Sequence, residues 1–163
     1  LFVLSVYSLF TLEELPRSPN YGIVYNGLNP TIKKLIAANK KVVITLDNPT
    51  LQEPRCCVQR KTVIPYFDRL FAKNRNPGCA IGYDQHLHYT EPYRRLMNHL
   101  KAENPALVVY DPTPLLCNID KNECAFQKDG EFMYSYFDHV STYAASLIAR
   151  ELIPIVENMA RRN

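Results

Sequence analysis

The sequence has no run of basic residues and no long uninterrupted apolar stretch. Its 19 lysines and arginines are nearly balanced by 16 aspartates and glutamates, which leaves a formal net charge of +3. Without a basic run there is no patch that would follow a phosphate backbone, so we expect no nucleic-acid partner. Because no stretch approaches the roughly 20 apolar residues that span a bilayer, the sequence predicts no membrane helix within these residues.

The start of the chain lacks the features of a secretory leader. The apolar residues 1–7 (LFVLSVY) have no initiator methionine, basic flank or small-residue cleavage site. A signal-peptide core is the alternative, but the acidic pair Glu13 and Glu14 fits it poorly. We therefore expect a strand that belongs to a longer protein, and a single domain over 1–163, because 47% hydrophobic residues suit one sizeable core.

The five cysteines form no CxxC pair, so their spacing excludes a zinc knuckle. Five is a high number for a cytosolic domain of this size and favours an oxidising compartment. The polar turn between Cys117 and Cys124 predicts a disulfide that joins them. Cys79 would pair with Cys57 or Cys56, which leaves one thiol over; in the alternative, all five are reduced, buried residues.

Three short apolar runs predict strands, over 1–10, 41–46 and 106–110. Each run is rich in β-branched or aromatic residues and is nearly continuous, which is typical of parallel strands covered on both faces. The runs alternate with helical patterns along the chain. This order predicts right-handed βαβ crossovers and an α/β three-layer sandwich with a mostly parallel sheet.

The helical patterns lie between and after these strands. The helix predicted over 29–39 opens with Asn29 and Pro30, and the helix predicted over 91–103 opens with Glu91 and Pro92 after Thr90. A polar residue followed by proline suits the start of a helix. From Val140 to Met159 apolar residues recur every three or four positions, which predicts an amphipathic last helix. Residues 49–90 are less regular, and we interpret them as a disulfide-braced connection that contains a short helix near 63–73.

The candidate functional residues follow the strands or precede a helix. In parallel sheets the ligand crevice lies beyond the carboxyl ends of the strands, where Asp47, Asn48 and Asp111 are expected. His139 stands just before the last helix, with Ser141 near the N-cap, and a histidine there can point into the crevice as a general base. The alternative is that His139 only satisfies a local hydrogen bond.

A metal site is the weaker hypothesis for this chain. Asp84, His86 and His88 are close in sequence, and the two histidines alternate as strand neighbours would. Three ligands without a distant fourth are a weak indication of zinc, so we interpret them as part of a polar surface loop. His99, inside the helix over 91–103, is expected on a solvated face. The sequence therefore predicts neither a metal nor a cofactor.

Five successive segments together resemble one protein family, the SGNH-type domains fused to acyltransferase-3 membrane proteins. The segments are LSVYSLF at 4–10, VVITLDNP at 42–49 followed by EPRCC at 53–57, VYDP at 109–112, LLC at 115–117 with Cys124, and DGEFMY at 129–134 with HVSTYAA at 139–145. The resemblance covers essentially the whole chain. It implies an SGNH-hydrolase-like α/β fold, incomplete at its N-terminus.

The resemblance also implies a function, O-acylation of a bacterial surface glycan. A serine activated by His139 would take an acyl group, and a sugar hydroxyl would accept it. The implied partners are the glycan acceptor and the membrane acyltransferase domain of the same parent chain. The implied location is periplasmic or extracellular, tethered to the inner membrane through segments that precede Leu1.

Two features depart from the family pattern. The family's nucleophile lies in an N-terminal Gly-Asp-Ser block, which this sequence does not contain, so we expect the chain alone to be inactive. The family's aspartate three residues before the histidine is replaced by Tyr136, and the nearest carboxylate is Asp138. Because consecutive side chains diverge on an extended segment, three alternatives remain: a shifted loop brings Asp138 round, a backbone carbonyl orients the imidazole, or activity is weakened.

Three functions therefore remain open from the sequence. The first is a catalytic O-acyltransferase domain, which the resemblance favours. The second is a glycan esterase that passes the acyl group to water, which differs only in the acceptor that enters the site. The third is an inactive domain that binds polysaccharide or its own membrane partner, which the substitution at Tyr136 would favour.

Overall fold

A parallel three-stranded sheet forms the centre of the fold. The computed structural model describes residues 2–5, 19–51, 57, 79–135 and 139–161. The sheet has the order β1-β2-β4, with Val43 of β2 in register with Val3 on one side and Val108 on the other. Its strands are β1 Phe2–Ser5, β2 Val42–Thr45 and β4 Leu107–Tyr110. The three predicted strands are thus confirmed, each shorter than the apolar run that indicated it.

Two small antiparallel pairs lie outside this sheet. They consist of β3 Ala80–Ile81 with β5 Cys124–Ala125, and of β6 Gln127–Lys128 with β7 Glu131–Phe132. The turn between β6 and β7 contains Asp129 at φ 53° and Gly130 at φ 87°. Left-handed backbone of this kind suits glycine, which closes the hairpin without strain.

The described residues form four helices beside the strands, and two of these helices start earlier than predicted. They are α1 Pro19–Ala37, α2 Tyr83–Glu103, α3 Thr113–Leu116 and α4 Thr142–Arg161. Pro30 and Pro92, which stand at the starts of the two predicted helices, lie inside α1 and α2. A proline at the first helical position and one within a helix look alike in sequence. In α2 buried residues lie on both sides of the proline, with His86 and Thr90 before it and Tyr93 and Leu96 after it.

The start of α2 is capped from a distant loop. Asn122 accepts a hydrogen bond from the Tyr83 amide through its backbone oxygen at 3.2 Å, and one from the Asp84 amide through Oδ1 at 2.8 Å. These bonds satisfy amides that a helix leaves without an internal partner. Gly82 precedes them in a tight position, where an added Cβ would stand 2.6 Å from Asp84 Oδ1. The cap therefore depends on the loop between Cys117 and Cys124.

Two disulfides lie among the described residues: the predicted Cys117–Cys124 bridge, and a bridge from Cys79 to Cys57, one of its two candidate partners. Cys117 bonds to Cys124 with their Cα atoms 4.1 Å apart, and Cys57 bonds to Cys79 with a Cα separation of 5.4 Å. The two bridges are neighbours, because β3 follows Cys79 directly and Ile81 pairs with Cys124. Cys56 and the helix predicted near 63–73 lie outside the described residues.

The buried apolar side chains form two clusters. The first cluster joins one face of β2 and β4 to α1 and α2, and its fully buried members are Ile32, Val42, Ile44, Leu46, Tyr93, Leu96, Met97, Leu100 and Leu107. The second cluster joins the disulfide loop to the first turns of α4 and contains Leu51, Leu116, Cys117, Cys124, Phe126, Met133, Tyr134 and Ala144. Leu46 belongs to the first cluster and Leu51 to the second, and Asp47 lies between these two residues in the sequence.

Candidate functional site

The polar residues predicted at the ends of the strands do share one edge of the sheet. β2 and β4 run parallel, and the Leu46 amide just beyond β2 donates to the carbonyl of Tyr110 at 2.8 Å. Asp47 follows at once and accepts a hydrogen bond from the Asn48 amide through Oδ1 at 3.0 Å. Asp111 follows β4 in the same way. The carboxyl edge of the described sheet is therefore acidic and partly buried.

An ion pair holds Asp111 in place. Arg94 of α2 reaches the carboxylate with both terminal nitrogens, at 2.5 and 3.3 Å, and also donates to Thr113 Oγ1 at 3.0 Å. Burial pushes the pKa of Asp111 upward, but the hydrogen bonds from Arg94 and Thr113 outweigh this effect and leave the pKa below its ordinary value. Asp111 is thus an ionised, fixed residue that ties α2 to the end of β4.

His86 belongs to this network rather than to a metal site. It is only 3% exposed, and its Nε2 lies 3.4 Å from Thr113 Oγ1. Burial, followed by the nearby charge of Arg94, lowers the pKa of His86 from 6.5 to about 4, against the opposing effect of Asp111. His86 is therefore neutral near pH 7, and the Thr113 hydroxyl, which accepts from Arg94, can donate to it.

The predicted surface loop around His86 is wrong. Asp84, His86 and His88 all lie in α2, where residues two positions apart point to different sides of the helix. Accordingly Asp84 and His88 are exposed while His86 is buried. Within the described part of the chain, no three potential ligands come together in a way that would hold a metal ion.

Residues 133–135 pair in antiparallel fashion with residues 139–141, and this pairing presents His139. Tyr134 and Val140 form an antiparallel bridge, and the Ser135 amide donates to the carbonyl of His139 at 2.8 Å. Ser141 then caps α4, because its Oγ accepts from the Ala144 amide at 3.1 Å. The His139 side chain is exposed, and the residue stands just before the Ser141 cap of α4. Asp138 and Tyr136 lie outside the described residues.

Two buried tyrosines are the residues that sequence reasoning missed. Tyr93 and Tyr134 are each 1% exposed, and neither hydroxyl hydrogen-bonds to any residue that the structure describes. Burial, and then the charge of Asp47, raise the pKa of both hydroxyls. In the sequence Tyr134 is the last residue of the segment 129–134 that resembles the family, and Tyr93 lies within the predicted helix over 91–103. Nothing in either pattern indicates that the two share a neighbour.

A further polar group clamps α1 to α2. Glu103 accepts hydrogen bonds from Tyr25 and Asn29, which together with Lys33 lower its pKa to about 2. His99, expected on a solvated face, is exposed but lies 2.8 Å from the Tyr21 hydroxyl and 3.1 Å from Glu103. Glu103 ends α2 just before β4 begins, at the opposite edge of the sheet from Asp47 and Asp111. The clamp is therefore separate from the candidate site.

These features together define an α/β domain with a hydrolase-like arrangement of helices and sheet. A family model described as the SGNH domain fused to AT3 domains matches residues 6–154. The chain therefore belongs to the family of SGNH domains found with acyltransferase-3 proteins, as the resemblance indicated. No curated protein and no solved structure matches the chain.

Membership of this family makes the chain an acyltransferase-associated domain. It links the parent protein to acyl-transfer chemistry and to AT3 domains in the same chain. In the stretches that the structure describes, no helix has both the length and the apolar character needed to cross a membrane.

Proposed function

We propose that the chain is the extracytoplasmic part of an O-acyltransferase that acetylates a bacterial surface polysaccharide. The observation that carries the proposal is the family match over residues 6–154. This range includes the acidic edge at Asp47 and Asp111 as well as His139. Both ends of the expected crevice therefore belong to the region that resembles acyltransferase-associated domains.

In the proposed reaction His139 is the general base. It takes the proton of a serine hydroxyl while the serine oxygen attacks the carbonyl carbon of the acyl donor, and the donor's leaving group departs with a proton. In the second half a sugar hydroxyl gives its proton to His139 and attacks the acyl-serine. The sugar ester leaves, and the proton returns to the serine.

The serine would come from a segment of the parent protein that carries the Gly-Asp-Ser block. Among the described strands, β1 pairs with β2 and has its other edge open. A strand added there in parallel would bring the residues that follow it to the carboxyl edge of the sheet. That placement would put the serine on the same side as Asp47.

The carboxylate that orients His139 is proposed to be Asp138. An aspartate bonded to Nδ1 fixes the imidazole tautomer and stabilises the imidazolium, so Asp138→Asn should cost nearly as much activity as loss of the histidine. Activity close to that of the unmodified parent in Asp138→Asn would assign the orienting role to a backbone carbonyl instead.

Two observations support the location and the layering that we propose. The disulfides Cys57–Cys79 and Cys117–Cys124 suit the periplasm or the cell exterior, where such bonds persist. On β4, Leu107 belongs to the first cluster, whereas the alternate residue Tyr110 donates its hydroxyl to Glu151 of α4 at 3.2 Å. Helices on opposite faces of the sheet support a three-layer sandwich.

The test uses membranes that contain the intact parent protein, a labelled acyl donor and the polysaccharide of its host. Transferase activity appears as label bound to the polymer, and it should depend on the polymer being present. Label that is released only as free acid would identify an esterase. No label in either product, together with retention of the protein on the polysaccharide, would identify a binding domain.

A further inference from the structure

A small polar pocket lies beside the β6–β7 pair. It has a volume of about 180 Å³ and is formed by the Cys117–Cys124 loop together with β5, β6 and the turn after β6. Leu116 and Ala125 contribute apolar atoms to its wall. No residue that lines it belongs to the acidic edge at Asp47 and Asp111. Its polar lining consists of Asn118, Lys121, Glu123, Gln127, Lys128 and Asp129.

The lining favours a neutral ligand that is rich in hydroxyl groups. The pocket contains two lysines and two carboxylates, so its formal charges balance and a phosphate gains no net attraction there. The amides of Asn118 and Gln127 can both donate and accept hydrogen bonds, as sugar hydroxyls do. The volume lies below the roughly 300–1,000 Å³ of clefts for drug-sized ligands, so the pocket suits one sugar ring rather than a nucleotide cofactor.

An exposed aromatic ring stands next to this pocket. Phe132 of β7 is directly opposite Gln127 of β6. Its ring packs edge-on against the buried ring of Phe126, with the centroids 5.4 Å apart, and 43% of the residue remains exposed. Because the ring is already held, it offers an apolar surface to a ligand at a small cost in conformational entropy.

The backbone after Phe132 leads to the residue that we propose as the base. The carbonyl of Phe132 accepts a hydrogen bond from the Ser141 hydroxyl. Farther along, the Ser135 amide donates to the carbonyl of His139. Phe132 lies three positions before Ser135, which corresponds to about 10 Å of extended backbone. A polymer that lies on Phe132 can therefore reach His139 with a nearby ring.

We propose that Phe132 and the adjacent pocket form a subsite for the polysaccharide acceptor, in which one sugar ring occupies the pocket and a neighbouring ring lies on Phe132. A sugar ring has apolar C–H faces and hydroxyl groups at its edge. The faces suit the aromatic ring, and the hydroxyls suit the amide, ammonium and carboxylate groups of the pocket. The subsite rests on the proposed function, because it binds the acceptor of that reaction.

Binding in the absence of acyl donor is the first test. The intact parent protein is passed over the polysaccharide of its host, immobilised after its ester groups have been removed. Phe132→Ala should weaken binding about tenfold and Gln127→Ala about threefold, because they remove an apolar contact and a hydrogen bond. Phe132→Tyr keeps the ring and should bind like the unmodified parent. Ile23→Ala, which removes an exposed apolar residue of α1, is the matched control and should change nothing.

Two results of this experiment would overturn the subsite. One is equal binding by the unmodified parent, Phe132→Ala and Gln127→Ala, and the other is a parent protein that the polymer does not retain at all. Melting temperatures are measured as well, because Phe132→Ala also removes the contact with Phe126. Gln127 is exposed, so its replacement should leave the melting temperature unchanged. Weak binding only in a destabilised Phe132→Ala protein would identify a structural role and contradict the proposal.

Kinetic measurements on the parent separate the subsite from the proposed reaction. Phe132→Ala and Gln127→Ala should raise the KM for the polysaccharide while kcat and the KM for the acyl donor stay unchanged, which is the pattern of lost ground-state binding. A raised KM for the donor instead would assign the pocket to the donor and overturn the proposal. A parent that binds the polymer through Phe132 but transfers no label would refute the acyltransferase function and leave the subsite standing.

Discussion

Arg94 and Asp111 are joined by two hydrogen bonds that connect the middle of α2 to the residue directly after β4. The guanidinium also reaches Thr113, so one side chain ties together a helix, a strand end and the start of α3. Planar, two-point pairing of this kind is specific to arginine. Arg94 therefore holds the residue at the carboxyl end of β4 in place, although it lies seventeen positions from Asp111 in the sequence.

Loss of Arg94 should destabilise the domain. Arg94→Met leaves Asp111 partly buried and unpaired, and because the pair keeps some solvent contact we expect a cost of about 2 kcal/mol, below the range for fully buried pairs. The control is Arg95→Met, since Arg95 is exposed and pairs with Glu91 on its own helix; its cost should be below about 0.5 kcal/mol. The free energy of unfolding of both variants is measured by urea denaturation. Equal decreases for Arg94→Met and Arg95→Met would contradict the stabilising role of the Arg94–Asp111 pair.

The stability of the domain should depend on pH through His86. Its pKa is about 4 in the folded chain and 6.5 in the unfolded chain, so between these values the unfolded state binds more protons. Stability therefore falls as the pH falls from 6.5 to about 4, by up to about 3 kcal/mol, and His86 adds no further loss below that range.

A neutral replacement isolates this contribution from that of other titrating groups. His86→Gln should have a flatter stability profile than the unmodified chain between about pH 7 and pH 4. The measurement is the free energy of unfolding in urea at a series of pH values. Parallel curves of unfolding free energy against pH for the two proteins would show that His86 has the same pKa in the folded and unfolded states, which would contradict the prediction.

The Cys117–Cys124 bridge should stabilise the start of α2 as well as its own loop. Replacing both cysteines by serine should cost about 2 kcal/mol in the chain-entropy account. Hydrogen exchange at the amides of Tyr83 and Asp84 should become faster, because the loop residue Asn122 caps them. Peptide mapping without reductant that finds both thiols free would remove the prediction.

The strands could be predicted from sequence better than the helix boundaries. A short, continuous apolar run between turn residues mainly indicates a buried strand. The runs at 41–46 and 106–110 therefore predicted β2 and β4 to within one residue at each end. The early start of α2 was not predictable in this way. Its cap comes from Asn122, which lies 38 residues from Asp84 in sequence, and local patterns carry no information about such a contact.

The residues of the candidate site could likewise be predicted only in part from the sequence. The sequence placed Asp47 and Asp111 at one edge and His139 before the last helix, because these positions follow from the order of elements alone. The pKa of His86 depends on its burial and on the charges of Arg94 and Asp111, which become its neighbours only in the folded chain.

The chain of 163 residues should be inert toward model acetyl esters. A general base without its nucleophile has nothing to activate, so hydrolysis should stay near the uncatalysed rate. The measurement is release of a chromogenic leaving group by the purified chain. Rapid hydrolysis that disappears after replacement of a single serine within residues 1–163 would show that the nucleophile is present and has been missed.

The central claim is that His139 is the general base, and His139→Ala in the intact parent protein tests it most directly. Acetylation of the polysaccharide should fall at least about a hundredfold. The melting temperature should hardly change, because the side chain is exposed. His88→Ala, which removes an exposed histidine of α2, should keep full activity. A well-folded His139→Ala protein that acetylates at the rate of the unmodified parent would contradict the account.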